Sequence, residues 1–224
     1  MRTDVWVVTL PASKTLVQTG MQWLDPEEQV RLRRMPSESN RDRFVACRTV
    51  LRYCLAPHLN CSEANVRFSY GASGKPEILG CSRSFNISHS GDYGLVAISL
   101  APAVGVDIEH VNARRNLAAV TRHVFHPDEI VAFDRVEPKL RGRFFYDLWV
   151  RKEAVTKWLG DSIFQIKAIS VLDTMSSPRV ITVNGRGSAW VMPVKVSSQY
   201  ASAVAIDTFI DSPRPTVTIH EWNG

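Results

Sequence analysis

The chain has 224 residues, of which 45% are hydrophobic, and this share supports a folded core and excludes a wholly disordered protein. It contains no apolar run as long as a membrane-spanning helix and no signal-peptide pattern, which predicts a cytoplasmic protein with reduced cysteines. Its four cysteines include no CxxC pair, which disfavours a zinc site. The formal charge of +5 fits an anionic partner, and the lack of a nucleic-acid-binding module disfavours nucleic acid.

The first half of the chain reads as strand, helix, helix and strands. Residues 4–10 predict a strand, and Asp25 followed by Pro26 predicts a helix start, with Asp25 as the N-cap. A second helix is predicted over residues 37–59, where apolar residues recur at helical spacing. Short strands are predicted at 66–70, 95–100 and 104–111.

The second half continues with helices and then strands. Helices are predicted at 113–124, 127–136 and 139–158. The remaining segments read as strands, at 166–172, 180–183, 190–196, 203–209 and 217–222. The stretch Tyr93–Ile98 loosely resembles Tyr200–Ile206, which suggests two similar halves. We therefore expect an α+β fold of two pseudo-symmetric subdomains, residues 1–103 and 104–224, each a small sheet packed with a long helix, with a shared site in the cleft between them.

The segment Gly-Val-Asp-Ile-Glu, residues 105–109, places two carboxylates on one face of a predicted strand. Side chains alternate between faces, so Asp107 and Glu109 point to the same side, about 7 Å apart. One interpretation is a half-exposed strand with a hydrated acidic face. The other is a site for a hard cation such as Mg²⁺, because two neighbouring anions repel unless a positive charge lies near them.

A third acid follows on the long predicted helix, in Trp-Val-Arg-Lys-Glu-Ala-Val-Thr-Lys. Trp149, Glu153 and Lys157 recur every four residues and so share one helix face. Glu153 and Lys157 could form only an exposed ion pair. Alternatively, Glu153 completes a metal site while Lys152 and Lys157 bind the phosphates that the metal shares.

These two motifs together resemble the signature of the Sfp-type 4′-phosphopantetheinyl transferases, written (V/I)GxDxE and WxxKEAxxK. The resemblance spans about residues 25–160, where further matching segments occur in the family's order. They are an arginine-rich stretch, Gly-Lys-Pro at 74–76, Phe-Asn-Ile-Ser-His-Ser at 85–90 and Phe-His-Pro-Asp-Glu at 125–129.

The resemblance implies a monomeric, Mg²⁺-dependent enzyme that moves the phosphopantetheine arm of coenzyme A to a serine of an acyl or peptidyl carrier protein, releasing 3′,5′-ADP. It implies Asp107, Glu109 and Glu153 as metal ligands, and Glu153 also as general base with Lys157 assisting catalysis. The implied coenzyme A ligands are Arg31, Arg43, Gly74, Lys75, Ser88, His89, Lys152 and Lys157. Because the chain is basic, we expect the carrier to be acidic.

The chain departs from the family pattern at two places. Glu28 stands where some relatives carry a lysine, and the segment after the second motif keeps only Gly160 of a glycine-rich stretch. Two other functions therefore stay open. One is a metal-dependent hydrolase of phosphoanhydrides, and the other is a non-catalytic module that binds coenzyme A or a carrier protein.

Overall fold

A computed structural model describes residues 1–70, 76–78, 81–112, 117–160, 163–209 and 212–222, with backbone only for 163–165. The α-helices in these ranges are α1 (Lys14–Trp23), α2 (Pro26–Arg33), α3 (Glu38–Leu59), α4 (Ala118–Val124), α5 (Pro127–Arg135) and α6 (Arg141–Leu159). The strands are β1 (Arg2–Thr9), β2 (Phe68–Tyr70), β3 (Pro76–Ile78), β4 (Ser84–Ser90), β5 (Tyr93–Ser99), β6 (Val104–His110), β7 (Arg179–Val183), β8 (Gly187–Pro193), β9 (Tyr200–Thr208) and β10 (Thr216–Trp222).

Two four-stranded sheets form the framework, which confirms the predicted α+β class. The first has the strand order β10-β1-β5-β4 and the second β6-β9-β8-β7, while β2 and β3 pair separately. Strand β10 lies parallel to β1, and its residues 216–222 therefore belong to the first sheet although they were assigned to the second subdomain. The division into subdomains near residue 103 stays a prediction.

Helix α3 packs on the first sheet as the apolar spacing predicted. Its N-cap is Ser37, whose Oγ accepts a hydrogen bond from the backbone N–H of Asn40 at 3.2 Å. The helix ends at Asn60, which adopts the left-handed conformation with φ of 50°. The buried face includes Cys47, Leu51 and other residues that contact the strands beneath.

Helix α2 begins where Asp25 and Pro26 predicted it. Asp25 accepts from the backbone N–H of Glu28 at 2.8 Å, and the Glu28 carboxylate accepts from the backbone N–H of Asp25 at 3.0 Å. Glu28 is buried and also forms ion pairs with Arg52 at 2.5 Å and Arg48 at 3.3 Å. These contacts attach α2 to α3, so the acid at position 28 has a structural role.

Helix α6 packs on the second sheet at very short range. A Cβ atom added at Gly105 would lie 2.0 Å from the carbonyl oxygen of Ala154 and 2.5 Å from the backbone nitrogen of Trp158. The backbone of β6 can approach the helix this closely only because residue 105 has no side chain. The motif glycine therefore sets the distance between the two elements that carry the predicted site.

Residues 166–172 were predicted as a strand, and this is wrong, because they lie in and between the short 3₁₀ helices Ile163–Ala168 and Leu172–Met175. Buried side chains satisfy the backbone groups that a strand would pair. Lys152 donates to the carbonyl of Ile169, and Glu129 accepts from the N–H of Val171 at 2.7 Å. Helix α1 was not predicted. Within the described ranges, no helix has the length and apolar character needed to cross a bilayer.

Candidate active site

The edge strands β4 and β6 meet side by side and are joined by side chains. Asn86, Ser88 and Ser90 occupy alternate positions on β4 and therefore point toward β6 together. Asn86 accepts a hydrogen bond from a backbone N–H of β6 at 3.0 Å. Ser88 donates to Asp107 at 2.7 Å and Ser90 donates to Glu109 at 2.8 Å. Both motif carboxylates thus lie at the junction between the two sheets.

Helix α6 presents Trp149, Glu153 and Lys157 to the same junction, as their spacing predicted. The Lys157 ammonium donates to Asp107 at 2.7 Å and to Ser88 at 3.0 Å. Trp149 lies near Glu109, whose pKa it lowers slightly, and Glu153 is close enough to Asp107 and Glu109 for both charges to raise its pKa. The structure therefore brings together the three predicted metal ligands and Lys157.

The charges at this junction are only partly balanced. Burial and the charges of Asp107 and Glu109 together raise the pKa of Glu153 to about 7, although Lys157 opposes the shift. Burial and the charge of Asp107 likewise raise the pKa of Glu109. In the described part of the chain, one buried oxygen of Asp107 and one of Glu153 have no hydrogen-bond partner.

These unpaired oxygens fit a hard divalent cation, because Mg²⁺ prefers oxygen ligands and usually takes only one or two carboxylates together with waters and phosphates. Within the described ranges, Asp107 and Glu153 are the two residues with a buried oxygen that lacks a hydrogen-bond partner. Among the residues described, no three acidic, histidine or cysteine side chains are arranged to hold a metal. The predicted set that also includes Glu109 is therefore not preformed.

A cationic cluster lies beside the acids. It consists of Arg31 on α2, Arg43 on α3, His89 on β4 and Lys157 on α6. The surrounding protein reduces the hydration of the His89 imidazole and lowers its pKa, and the charges of Arg43, Lys157 and Arg31 lower it further. Arg31 also lies over the ring of Phe44, 5.7 Å from its centroid. Basic side chains from both halves thus concentrate positive charge near His89.

Two predicted coenzyme A ligands are already engaged in contacts within the protein. Lys152 is buried and donates to Glu129 at 2.8 Å, which corrects its assignment as a phosphate ligand. Positions 152 and 153 lie about 100° apart around the helix, so Lys152 turns into the core while Glu153 faces the junction. Ser88 is also buried, between Asp107 and Lys157. Gly74 and Lys75 lie outside the described residues.

Sequence reasoning missed three contributors to the site, namely Asn86, Ser90 and the close packing at Gly105. The signal for the first two was their alternation with Ser88 in a strand, which places all three on one face. That the partner would be β6 could not be read from the pattern, because the strands are joined by side chains and not by a backbone ladder.

Comparison with known proteins supports the motif reading. Residues 103–205 match the profile of the 4′-phosphopantetheinyl transferase superfamily, and residues 10–101 match that of the 4′-phosphopantetheinyl transferase N-terminal region. The 4′-phosphopantetheinyl transferase AcpT of Salmonella typhimurium is 33% identical over 63% of this chain and 70% of its own length. The chain belongs to the 4′-phosphopantetheinyl transferase superfamily.

Two cyanobacterial members of the superfamily are also similar. A putative 4′-phosphopantetheinyl transferase of Synechocystis sp. is 32% identical over 71% of this chain, and the match spans 65% of that relative, just under two thirds of its length. The 4′-phosphopantetheinyl transferase HetI of Nostoc sp. is 27% identical over 94% of this chain and 90% of its own length. The family predicted from the motifs is confirmed, whereas the Sfp-type subtype stays a prediction.

Proposed function

We propose that this protein transfers the 4′-phosphopantetheine arm of coenzyme A to a serine hydroxyl of an acyl or peptidyl carrier protein and releases 3′,5′-ADP. The observation that carries the proposal is the junction itself. Unpaired oxygens of Asp107 and Glu153 lie beside the Lys157 ammonium and next to a cluster of arginine and histidine side chains. Acids and bases in this arrangement suit a pyrophosphate, since a bound metal and cations share its charge.

The cationic cluster would bind the phosphates of coenzyme A. Arg31, Arg43 and His89 can surround one phosphate, and a dianion there would remove the mutual repulsion that now lowers the pKa of His89. Lys157 donates to Asp107 and stands between the acids and the cluster, so it can reach a pyrophosphate oxygen. In this scheme residues of the first half hold coenzyme A and residues of the second half supply the acids.

Asp107 and Glu153 would hold Mg²⁺ through their unpaired oxygens. When bound, the ion would neutralise negative charge that develops on the pyrophosphate as its bridging bond breaks. Glu109, which already accepts a hydrogen bond from Ser90, would adjust the charge of this site and would be placed to contribute an oxygen.

Glu153 is the proposed general base. In the metal-free protein its pKa is raised to about 7, and a bound Mg²⁺ would lower this pKa and keep the carboxylate ionised, as a base requires. It would accept the proton of the carrier serine, directly or through water. The serine oxygen forms a bond to the phosphorus that carries pantetheine, the bond from that phosphorus to the bridging oxygen breaks, and the oxygen leaves on 3′,5′-ADP.

Several further features belong to the same proposal. We infer an Sfp-type monomer that acts in the cytoplasm, consistent with four cysteines that form no disulfide. The net charge of +5 supports an acidic carrier, which would be attracted over several ångströms before docking.

The deciding experiment incubates the protein with coenzyme A, Mg²⁺ and an apo carrier domain, and then weighs the carrier by mass spectrometry. A gain equal to one phosphopantetheine arm supports the transferase. Nucleotide release without carrier modification would instead indicate a hydrolase, and the absence of any reaction would indicate a binding module.

A pair of variants ties the reaction to the site. Asp107→Ala should abolish transfer while the protein stays folded, because the like-charge repulsion with Glu109 and Glu153 is relieved. The control is Asp128→Ala, because the Asp128 side chain is 73% exposed and lies near His126, which is not one of the proposed site residues. Near-normal turnover of Asp107→Ala at saturating Mg²⁺ would remove Asp107 from the proposed metal site.

A further inference from the structure

A groove with a volume of about 420 Å³ lies on another side of helix α6. One wall is formed by Arg143, Asp147 and Arg151, which recur every four residues on the helix. The other wall is the segment 193–202, which joins β8 to β9. Residues 151 and 153 lie about 200° apart around a helix, so this groove does not share the face that carries Glu153.

The side chains that line the groove carry more positive than negative charge. Arg143, Arg151 and Lys195 are cationic, and Asp147 is the one acid among the lining residues. The Nε and Nη2 atoms of Arg143 donate to the two carboxylate oxygens of Asp147 at 2.8 and 2.9 Å, so this arginine largely neutralises the charge of Asp147. Its carboxylate is 4.0 Å from Arg151, the limit of an ion pair.

Four of the five N–H donors of Arg143 are engaged within the described structure. Its Nε and Nη2 donate to Asp147, and its Nη1 donates to the carbonyls of Ser198 and Tyr200 at 3.1 and 3.0 Å. Arg143 therefore fixes the segment 193–202 to the helix, and with it the shape of the groove. Lys195 on the opposite wall is exposed.

Arg151 is incompletely satisfied. Its side chain is only 6% exposed, and Nη1 donates to the carbonyl of Asp147 at 2.6 Å. Its Nε has no hydrogen-bond partner among the residues described. A buried guanidinium normally has its donors paired, because each unpaired buried donor costs about 1–3 kcal/mol. Burial and the charge of Arg143 also lower the pKa of Arg151, whereas Asp147 opposes the shift.

We propose that this groove binds an oxyanion, a phosphate or carboxylate group held between Arg151 and Lys195. The planar guanidinium suits such groups because it can donate two parallel hydrogen bonds to their oxygens. The hydroxyl groups of Ser197 and Ser198 on the groove wall can add donors. This site is separate from the cationic cluster around His89, so the inference does not depend on the proposed transferase activity.

The test follows the side-chain Nε–H resonance of Arg151 by ¹H–¹⁵N NMR in the intact protein while inorganic phosphate or acetate is added. We expect a saturable shift of this resonance. Saturation by phosphate alone identifies a phosphate site, and equal saturation by acetate identifies a site for either oxyanion. An unchanged Arg151 resonance up to about 20 mM of both anions would overturn the proposal, since physiological anion levels would then leave the groove empty.

Two exposed-residue variants locate the binding. Lys195→Gln, which is expected to fold normally, should weaken the apparent affinity at Arg151 by up to about five-fold, the value of one exposed charge. Arg31→Gln, which alters the other cationic cluster, should leave the Arg151 titration unchanged. If Arg31→Gln abolished the shift and Lys195→Gln did not alter it, the shift would originate from anion binding at the cationic cluster around His89. The groove would then not be an anion site.

Discussion

Substitution of Gly105 by alanine should damage both stability and catalysis, because it forces β6 and α6 apart. The new Cβ would lie 2.0 Å from the Ala154 oxygen, and real contacts of this kind are not shorter than 3.0 Å, so the backbones must separate by about 1 Å. The obstacle is helix backbone, which cannot rotate out of the way as a side chain would. Overpacking of this kind costs about 1–3 kcal/mol, and we expect the upper end.

The same displacement separates Asp107 on β6 from Glu153 and Lys157 on α6. A misplacement of about 1 Å in a catalytic site can lower the rate about 100-fold. The assays are urea unfolding for stability, and kcat/KM for carrier modification at a concentration of folded enzyme that circular dichroism verifies. We expect Gly105→Ala to remain folded but to lose about two orders of magnitude in kcat/KM.

The control is Gly185→Ala in the turn between β7 and β8. Gly185 has a φ of +72° and nothing within 4 Å of an added Cβ. The variant should lose about 1 kcal/mol through backbone strain, without a change in kcat/KM. If Gly105→Ala retained wild-type stability and activity, the close packing of strand and helix would not position the site.

Three further predictions address the buried and titratable groups. Lys152→Met should lower the free energy of unfolding in urea by about 3–5 kcal/mol, because it leaves the buried Glu129 carboxylate without its cation. Activity per folded molecule should not change. A selective rise in KM for coenzyme A would instead identify Lys152 as a ligand. Burial raises the pKa of Cys47 and of Cys54 to about 12, so both should resist a thiol reagent at pH 8 in the native protein, and rapid labelling would contradict this burial. The pKa of Glu153 is about 7 in the folded protein and 4.5 in its ordinary state, so in EDTA the free energy of unfolding should fall as pH rises from about 4.5 to 7. Glu153→Gln should abolish this pH-dependent part of the stability. An identical pH profile in the variant would disprove the prediction.

Local patterns predicted the elements of the fold that depend on local physics. The Asp25–Pro26 start of α2, the apolar spacing of α3 and the alternation in β6 each reflect a constraint within a few residues. The strand prediction for residues 166–172 was wrong because the structure of this segment depends on residues distant in sequence. Its backbone groups are satisfied by Lys152 and Glu129, which are distant in sequence.

The candidate site also combines features that local patterns predicted with features that depend on contacts distant in sequence. Spacing alone placed Trp149, Glu153 and Lys157 on one face, and alternation placed Asp107 with Glu109. Spacing could not show that Lys152 turns into the core. Its burial depends on Glu129, which reaches it from a different helix. The ion pair of Lys157 with Asp107 also depends on how close two separate elements approach, a distance fixed by the tertiary packing at Gly105.

The parallel pairing of β10 with β1 has a consequence for biosynthesis. Strand β1 lies within the first 9 residues, but its partner on one side ends at residue 222. A nascent chain therefore carries an unpaired apolar strand edge until almost all of these residues have left the ribosome, and such an edge is a template for association with other chains. The first sheet cannot be completed as an independent unit, so a fragment cut near residue 103 should aggregate even though most of its own helix and strand contacts are intact.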